Sequence, residues 1–415
     1  MKNQDFEQKL AKYAELIVKV GLNLQPGQRL FIVAFALEVA PLVRQVMKSA
    51  YQNESRFVSV HWIDEQLIKI RYQYAPRDSF EEFATWNTDG CLQCIERGDA
   101  YLQIAGLNPE LLKDQDPDLL SIASRTQAKH YKPIRDHQGK NSVQWSLVCP
   151  PTSDWATKVF PKETPEDAEQ SLWDAVFKVC RLDEPEPAIF WQQQVDNLGK
   201  RKEYLTVKHY TALQFSGPGT NLTVGLPDGH IWAGGSSKTP SGISFVPNLP
   251  TEEVFTLPHK NKIEGTVTAT KPLSYQGNLI ENFSLTFSEG KVVNFTAEKG
   301  EEILRNLLET DENSKSLGEV ALVPHQTPIS QLGFLFLNTL YDENASNHLA
   351  LGDAYRSALE GGTAMSDEEF AQAGGNDSLI HVDFMFGSGE MDVDGLMTDG
   401  ATESVIRAGE WAFDL

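Results

Sequence analysis

The stretch LFIVAFALEVAPLVRQVMKSAYQNESRFVSVHW, residues 30–62, decides how the first half of the chain folds. Leu30 to Phe35 is an apolar run following the turn residues Gln25-Pro-Gly-Gln28, which is the pattern of a buried strand. Ala40 to Tyr51 has the spacing of an amphipathic helix, and Phe57-Val-Ser-Val-His-Trp62 is a second strand. A strand, a helix and a strand in so short a span make a βαβ unit, and such units build parallel sheets. Working outward, Phe6, Leu10, Tyr13, Ala14, Ile17 and Val18 fall on one helical face. Ala100–Ala105 and Val143–Val148 supply further strands, and Glu166–Arg181 and Trp191–Tyr204 further helices. The expectation for residues 1–205 is an open, mostly parallel α/β sheet domain.

The pattern changes in the second half. His230-Ile-Trp232, Gly265–Thr270, Asn282–Phe287 and Lys291–Thr296 are short alternating runs separated by Pro-Asp-Gly, Gln-Gly-Asn and Ser-Glu-Gly, which is hairpin chemistry. Helices are expected at Glu298–Glu309 and around Ala354–Glu360, closing strands about Ile380–Phe386, and turns at Asp394-Gly395 and Asp399-Gly400. Residues 206–415 should therefore form an α+β domain rich in antiparallel strands.

Charge divides the same way. The chain of 415 residues has 36 basic and 58 acidic groups, a formal charge of −22. Residues 206–415 hold 11 basic and 29 acidic groups, against 25 and 29 in residues 1–205. Nucleic acid and anionic membranes are gripped by clustered Lys and Arg, so neither is an expected partner. Cys91, Cys94, Cys149 and Cys180 are too few for a disulfide scaffold, and the one CxxC has no second pair to complete a zinc site. With no signal peptide or membrane span legible, a cytoplasmic protein is the expectation.

The acidic half carries the chemistry. In His381-Val-Asp383 the imidazole and carboxylate share one face of a strand. Glu252-Glu253 precede the apolar Val254-Phe255, Glu319 heads the apolar strand after Gly318, and Glu343 and His348 stand five apart ahead of Tyr355. Each alone reads as a surface acid, a cap or a hydrogen-bonded pair. Together they offer the hard oxygen donors and imidazoles that a two-cation hydrolytic site requires. Glu390–Gly395 fails the calcium-loop spacing, Gly229–Thr239 fails the phosphate-loop pattern, and no Gly-x-Ser-x-Gly elbow occurs.

Asn248-Leu-Pro-Thr-Glu-Glu-Val-Phe255, Gly318-Glu319, Glu343-Asn-Ala-Ser-Asn-His348, Gly352-Asp-Ala-Tyr355, His381-Val-Asp383 and Gly387-Ser-Gly-Glu390 occur in that order. With them the chain resembles, nearly end to end, the thermophilic metallo-aminopeptidase family. The resemblance implies an α/β N-terminal domain, a C-terminal catalytic domain, a homodimer, and peptide substrates with a free N-terminus. It implies two divalent ions per chain, Zn, Co, Mn or Mg, held by Glu253, Glu319, Glu343, His348, His381 and Asp383, with Glu319 bridging. A metal-activated water would attack the scissile carbonyl, Tyr355 would donate a hydrogen bond to the developing oxyanion, and Glu319 and Glu253 are the first candidates to shuttle the proton. Two other functions stay open on the residues alone: a metallohydrolase of another amide or a phosphoester, and a non-enzymatic acidic protein that binds cations.

Overall fold

The expected βαβ unit is present in the computed structural model, which describes residues 4–106, 108, 111–275 and 278–415. Arg29–Ala34 pairs in parallel with Phe57–Trp62 across the helix Ala40–Gln52. Ala100–Ile104 lies on its other side and Trp145–Val148 closes a four-stranded sheet in which every pairing is parallel. The first helix, Gln4–Leu16, buries Phe6, Leu10, Tyr13 and Ala14 and runs on into a π turn at Ile17–Gly21. Helices at Pro165–Val179 and Pro187–Lys208 cover the two later predicted segments.

Among the helices without a counterpart in the sequence reading are Glu65–Tyr74, Trp86–Glu96 and the long Pro117–Gly139. The last buries only Leu119 and Ile134, so it has no apolar stripe to detect. Its start is fixed locally, by the Asp116 carboxylate accepting from the Asp118 amide and by Pro117 in the first turn.

Beyond residue 205 the strands are antiparallel, in a nine-stranded, a five-stranded and a two-stranded sheet. The nine-stranded sheet contains the long hairpin of Asn278–Ser288 and Lys291–Lys299. Its turn needs Gly290, at φ 81°, because a Cβ there would sit 1.8 Å from the Lys260 carbonyl oxygen. Gln276 and Gly277, of the Gln-Gly-Asn turn, lie outside the described residues.

Four local expectations need correction. His230–Trp232 forms no strand, only an isolated bridge from His230 to Leu359. Asp394-Gly395 lies inside the strand Asp392–Leu396, where ladder hydrogen bonding to Ala212–Gly217 overrides turn propensity. The helix expected from Glu298 begins at Glu301, because the strand before it runs to Lys299. Around Ala354–Glu360 there is one 3-10 turn, Arg356–Ala358.

The chain clusters into two compact units, residues 1–193 with 236–250 and residues 194–235 with 251–415. The sequence reading drew a single cut at 205/206, inside the Pro187–Lys208 helix, and carried no sign of the excursion at 236–250. Among the described residues no helix is long and apolar enough to cross a membrane.

Candidate metal centre

The five-stranded sheet runs in the order His381–Met385, His348–Gly352, Leu317–Leu322, Val254–Thr256 and Ala233–Gly234. Paired residues in an antiparallel ladder share a face, so the register sorts the side chains into two layers. One layer holds Val254, Leu322, Val320, Leu349 and Phe384, all fully buried in the hydrophobic core. The other holds His348 opposite Ala321, and Asp383 opposite Ala350, which in turn faces Glu319. His381 stands opposite Gly352. Strict alternation thus puts apolar bulk below the sheet and donors above it, with Ala321, Ala350 and Gly352 leaving room between them. Glu253, one residue before its strand, reaches the donor layer by the same alternation, while Val254 goes to the core.

The donors form two groups that share one residue. Ligand atoms of Glu253, Glu319 and His348 lie within 4.8 Å of one another, and so do those of Glu319, His381 and Asp383. His348 Nε2 is 3.0 Å from Glu253 Oε2 and 3.4 Å from Glu319 Oε1. His381 Nε2 is 3.8 Å from Glu319 Oε2 and 3.6 Å from Asp383 Oδ1. Glu319 therefore turns one oxygen to each group.

The hydrogen bonds around these atoms decide what the groups can hold. His348 Nδ1 lies 3.2 Å from the Ser346 carbonyl oxygen, and His381 Nδ1 lies 2.8 Å from that of Asp353. A carbonyl only accepts, so Nδ1 carries the proton in each ring and a neutral ring presents the bare Nε2 lone pair to the carboxylates. Lone pair then faces lone pair. Although close, the atoms do not satisfy one another: Glu253 Oε2, His348 Nε2 and Asp383 Oδ1 are buried and lack any hydrogen bond of acceptable geometry. Buried acceptors aimed at common points call for positive charge between them, and divalent cations fit this donor set of carboxylate oxygen and imidazole nitrogen.

The titration behaviour of the side chains expresses the same demand. Burial raises Glu319, and the charges of Glu253 and Asp383 push the same way against the nearby imidazoles of His348 and His381. Burial alone would lower His381, but Asp383 outweighs it and lifts the imidazole to about 10. His348 is likewise raised, its burial outweighed by Glu253 and Glu319. In both rings protons stand where cations would.

Glu343 stays outside both groups, in a buried 3-10 turn at Glu343–Ala345. It is near enough that Glu253 and Asp383 add to burial in holding its carboxyl well above the usual range. Tyr355 follows the His348 strand, with its ring centroid 5.1 Å from that of His381. The residue keeps 40% exposure, yet the phenol is desolvated. That desolvation, and then the charges of Glu319 and Asp383, keep the phenol protonated far above neutral pH. Of the Glu252-Glu253 pair, both are buried; Glu252 accepts from Gln194 Nε2 at 2.7 Å, and Glu253 goes to the cluster.

Supporting residues had no separate signal in the sequence. Fully buried Asn344 accepts from the Glu252 amide through Oδ1 at 2.6 Å and donates from Nδ2 to the Leu340 carbonyl at 2.9 Å, tying the Glu343 turn to the Glu253 segment. Ser346 and Asp353 act through backbone carbonyls, which no side-chain pattern reveals. Burial pushes the Cys91 thiol up to about 12, so that thiol is not a nucleophile near neutral pH.

Comparison with known proteins gives the family. Residues 6–411 match the family described as thermophilic metalloprotease (M29). The chain is 47% identical over 410 residues to "Aminopeptidase 2" of Geobacillus stearothermophilus, covering 99% of each chain. It is 45% identical to "Aminopeptidase AmpS" of Bacillus subtilis over 98% of this chain and 99% of that one. The solved structure "Wild-type AmpT from Thermus thermophilus" superposes with a TM-score of 0.92 at 40% identity, covering 98% of this chain and all of the other. Matched along nearly its whole length in sequence and in fold, the chain belongs to the M29 family of thermophilic metalloproteases.

Proposed function

We propose that the protein is a metal-dependent aminopeptidase that uses two divalent ions, Zn, Co, Mn or Mg, to release N-terminal residues from peptides. The observation that carries this is Glu319, which turns Oε1 towards His348 and Oε2 towards His381 from the middle of two buried donor groups. Glu253, Glu319 and His348 would hold one ion and Glu319, His381 and Asp383 the other, with Glu343 as a further ligand. When bound, such ions polarise a carbonyl and make water a nucleophile near neutral pH.

The remaining work belongs to the chain. Tyr355, kept protonated, donates a hydrogen bond to the oxygen that gains charge as the scissile carbonyl becomes tetrahedral. The surplus of carboxylates attracts the cationic N-terminal amine, which orients the peptide by its free end. Glu319 and Glu253 are the acids within reach of a proton passing from water to the leaving amine. In this reading residues 1–205 form the N-terminal α/β domain and residues 206–415 the metal-binding catalytic domain. The family resemblance supports a homodimer, the formal charge of −22 speaks against nucleic acid and anionic membranes as partners, and the reading takes the protein as cytoplasmic.

The test compares a short peptide bearing a free amine with its N-acetylated form, before and after chelation. Release of the first residue from the free-amine peptide alone, abolished by chelator and restored by cobalt or zinc, is the expected result. Equal cleavage of both peptides, or cleavage of a phosphoester in their place, would instead assign the centre to another hydrolytic reaction.

A further inference from the structure

Phe255 lies on the donor side of the sheet without being a donor. It follows Glu253 by two residues, so the two side chains share a face, while Val254 between them is fully buried in the core. Its cross-strand neighbours on that face are Ala321 and Ala233, and Ala321 is paired in turn with His348. A large ring flanked by two alanines remains only half-buried. The Phe255 ring centroid is 5.7 Å from that of Tyr355, at 52°, and the Tyr355 ring is 5.1 Å from His381. Phe255 and the exposed Tyr355 thus make an aromatic surface that adjoins the donor groups at His381.

A peptide's first side chain branches from the carbon between its amine and its scissile carbonyl. If both of those groups engage the donor cluster, the side chain must fall within a few ångströms of it. We infer that Phe255, backed by the Tyr355 ring, is the wall against which the first side chain packs, so that peptides beginning with a sizeable apolar or aromatic residue are preferred. The inference rests on the aminopeptidase reading. Ring faces and edges pack well against aliphatic and aromatic groups, and apolar contact of this kind discriminates by about 10–200-fold per methylene at best.

The experiment measures kcat/KM for p-nitroanilides of Gly, Ala, Leu and Phe with the metal-loaded enzyme and with Phe255→Ala, Phe255→Leu and Phe255→Tyr. The wild type should favour Leu and Phe over Ala. Phe255→Ala should lower the Leu/Ala and Phe/Ala ratios about tenfold or more, and Phe255→Tyr should keep them. Bound metal, measured in parallel, should not change. Phe255→Leu carries the same comparison with a smaller loss of volume, should the alanine variant fail to fold. Ratios unchanged in every variant, at unchanged metal content, would overturn the wall while leaving the aminopeptidase intact. No release of any of the four residues by the wild type would overturn the aminopeptidase reading and the wall with it.

Discussion

Asn344 shows how much a residue without charge can matter to a charged site. Its side chain satisfies the buried Glu252 amide and the Leu340 carbonyl at once. Asn344→Ala should leave both unpaired and cost about 1–3 kcal/mol, read as a fall in the unfolding midpoint in denaturant. Tyr355→Phe makes the opposite kind of prediction. It removes one hydroxyl at the edge of the cluster, so folding and metal content should be kept while kcat falls about 10²–10³-fold, the usual loss for an oxyanion donor. An unchanged kcat would remove Tyr355 from the reaction. The residue types of the centre were legible because buried Glu, Asp and His are unusual and their spacing on strands is regular. His381-Val-Asp383 declares its shared face outright, and Glu319 is conspicuous at the head of an apolar strand. The carbonyls of Ser346 and Asp353 were not legible, since any residue supplies one and only the fold aims it.

Among elements, the ladder between the His348 and His381 strands depends on Gly352. It adopts φ 102°, and a Cβ there would lie 2.2 Å from the Ile380 carbonyl oxygen. Gly352→Ala should therefore destabilise by more than the ~1–3 kcal/mol of the backbone conformation alone and displace His381, lowering metal affinity along with thermal stability. The segment entering the His381 strand is held by Asp311, whose carboxylate accepts from the Leu379 and Asn313 amides and the Ser378 hydroxyl, each at 2.7 Å. Burial pushes this carboxyl up, but those hydrogen bonds outweigh it and the net shift is downward. A carboxylate depressed in the folded state stabilises fully above its unfolded pKa, about 4, and the stability is lost as pH falls through the lower folded value. The difference in unfolding free energy between wild type and Asp311→Ala should thus be constant near neutral pH and shrink below about pH 4. Strands and helices with an apolar period, such as Arg29–Ala34 and Gln4–Leu16, were legible to within a residue or two at most ends. Pro117–Gly139 was not, because its polar composition carries no period, and Asp392–Leu396 was obscured by an Asp-Gly pair that pairing in the sheet overrides.

For the molecule as a whole, the centre is a destabilising collection of like charges until cations join it. Glu253, Glu319 and Asp383 are all less than 8% exposed and crowd around two imidazoles. Metal that binds only the folded state should add about 2.7 kcal/mol at a hundredfold excess over its Kd, so stripping it should lower Tm by several degrees and adding it back should restore the loss. An unchanged Tm after complete removal would mean that the acids are neutralised without metal. The change from parallel α/β structure to antiparallel strands along the chain was legible in period, because period is a property of long segments. The return of residues 236–250 to the first unit was not, since so short an excursion does not alter it. The most direct test is elemental analysis of divalent metal per chain in the wild type and in Glu319→Ala. If Glu319 bridges two ions, the wild type holds about two equivalents and the variant loses both together with its peptidase activity. A wild type saturating at one ion, or a variant that keeps two and stays active, would contradict the bridged centre.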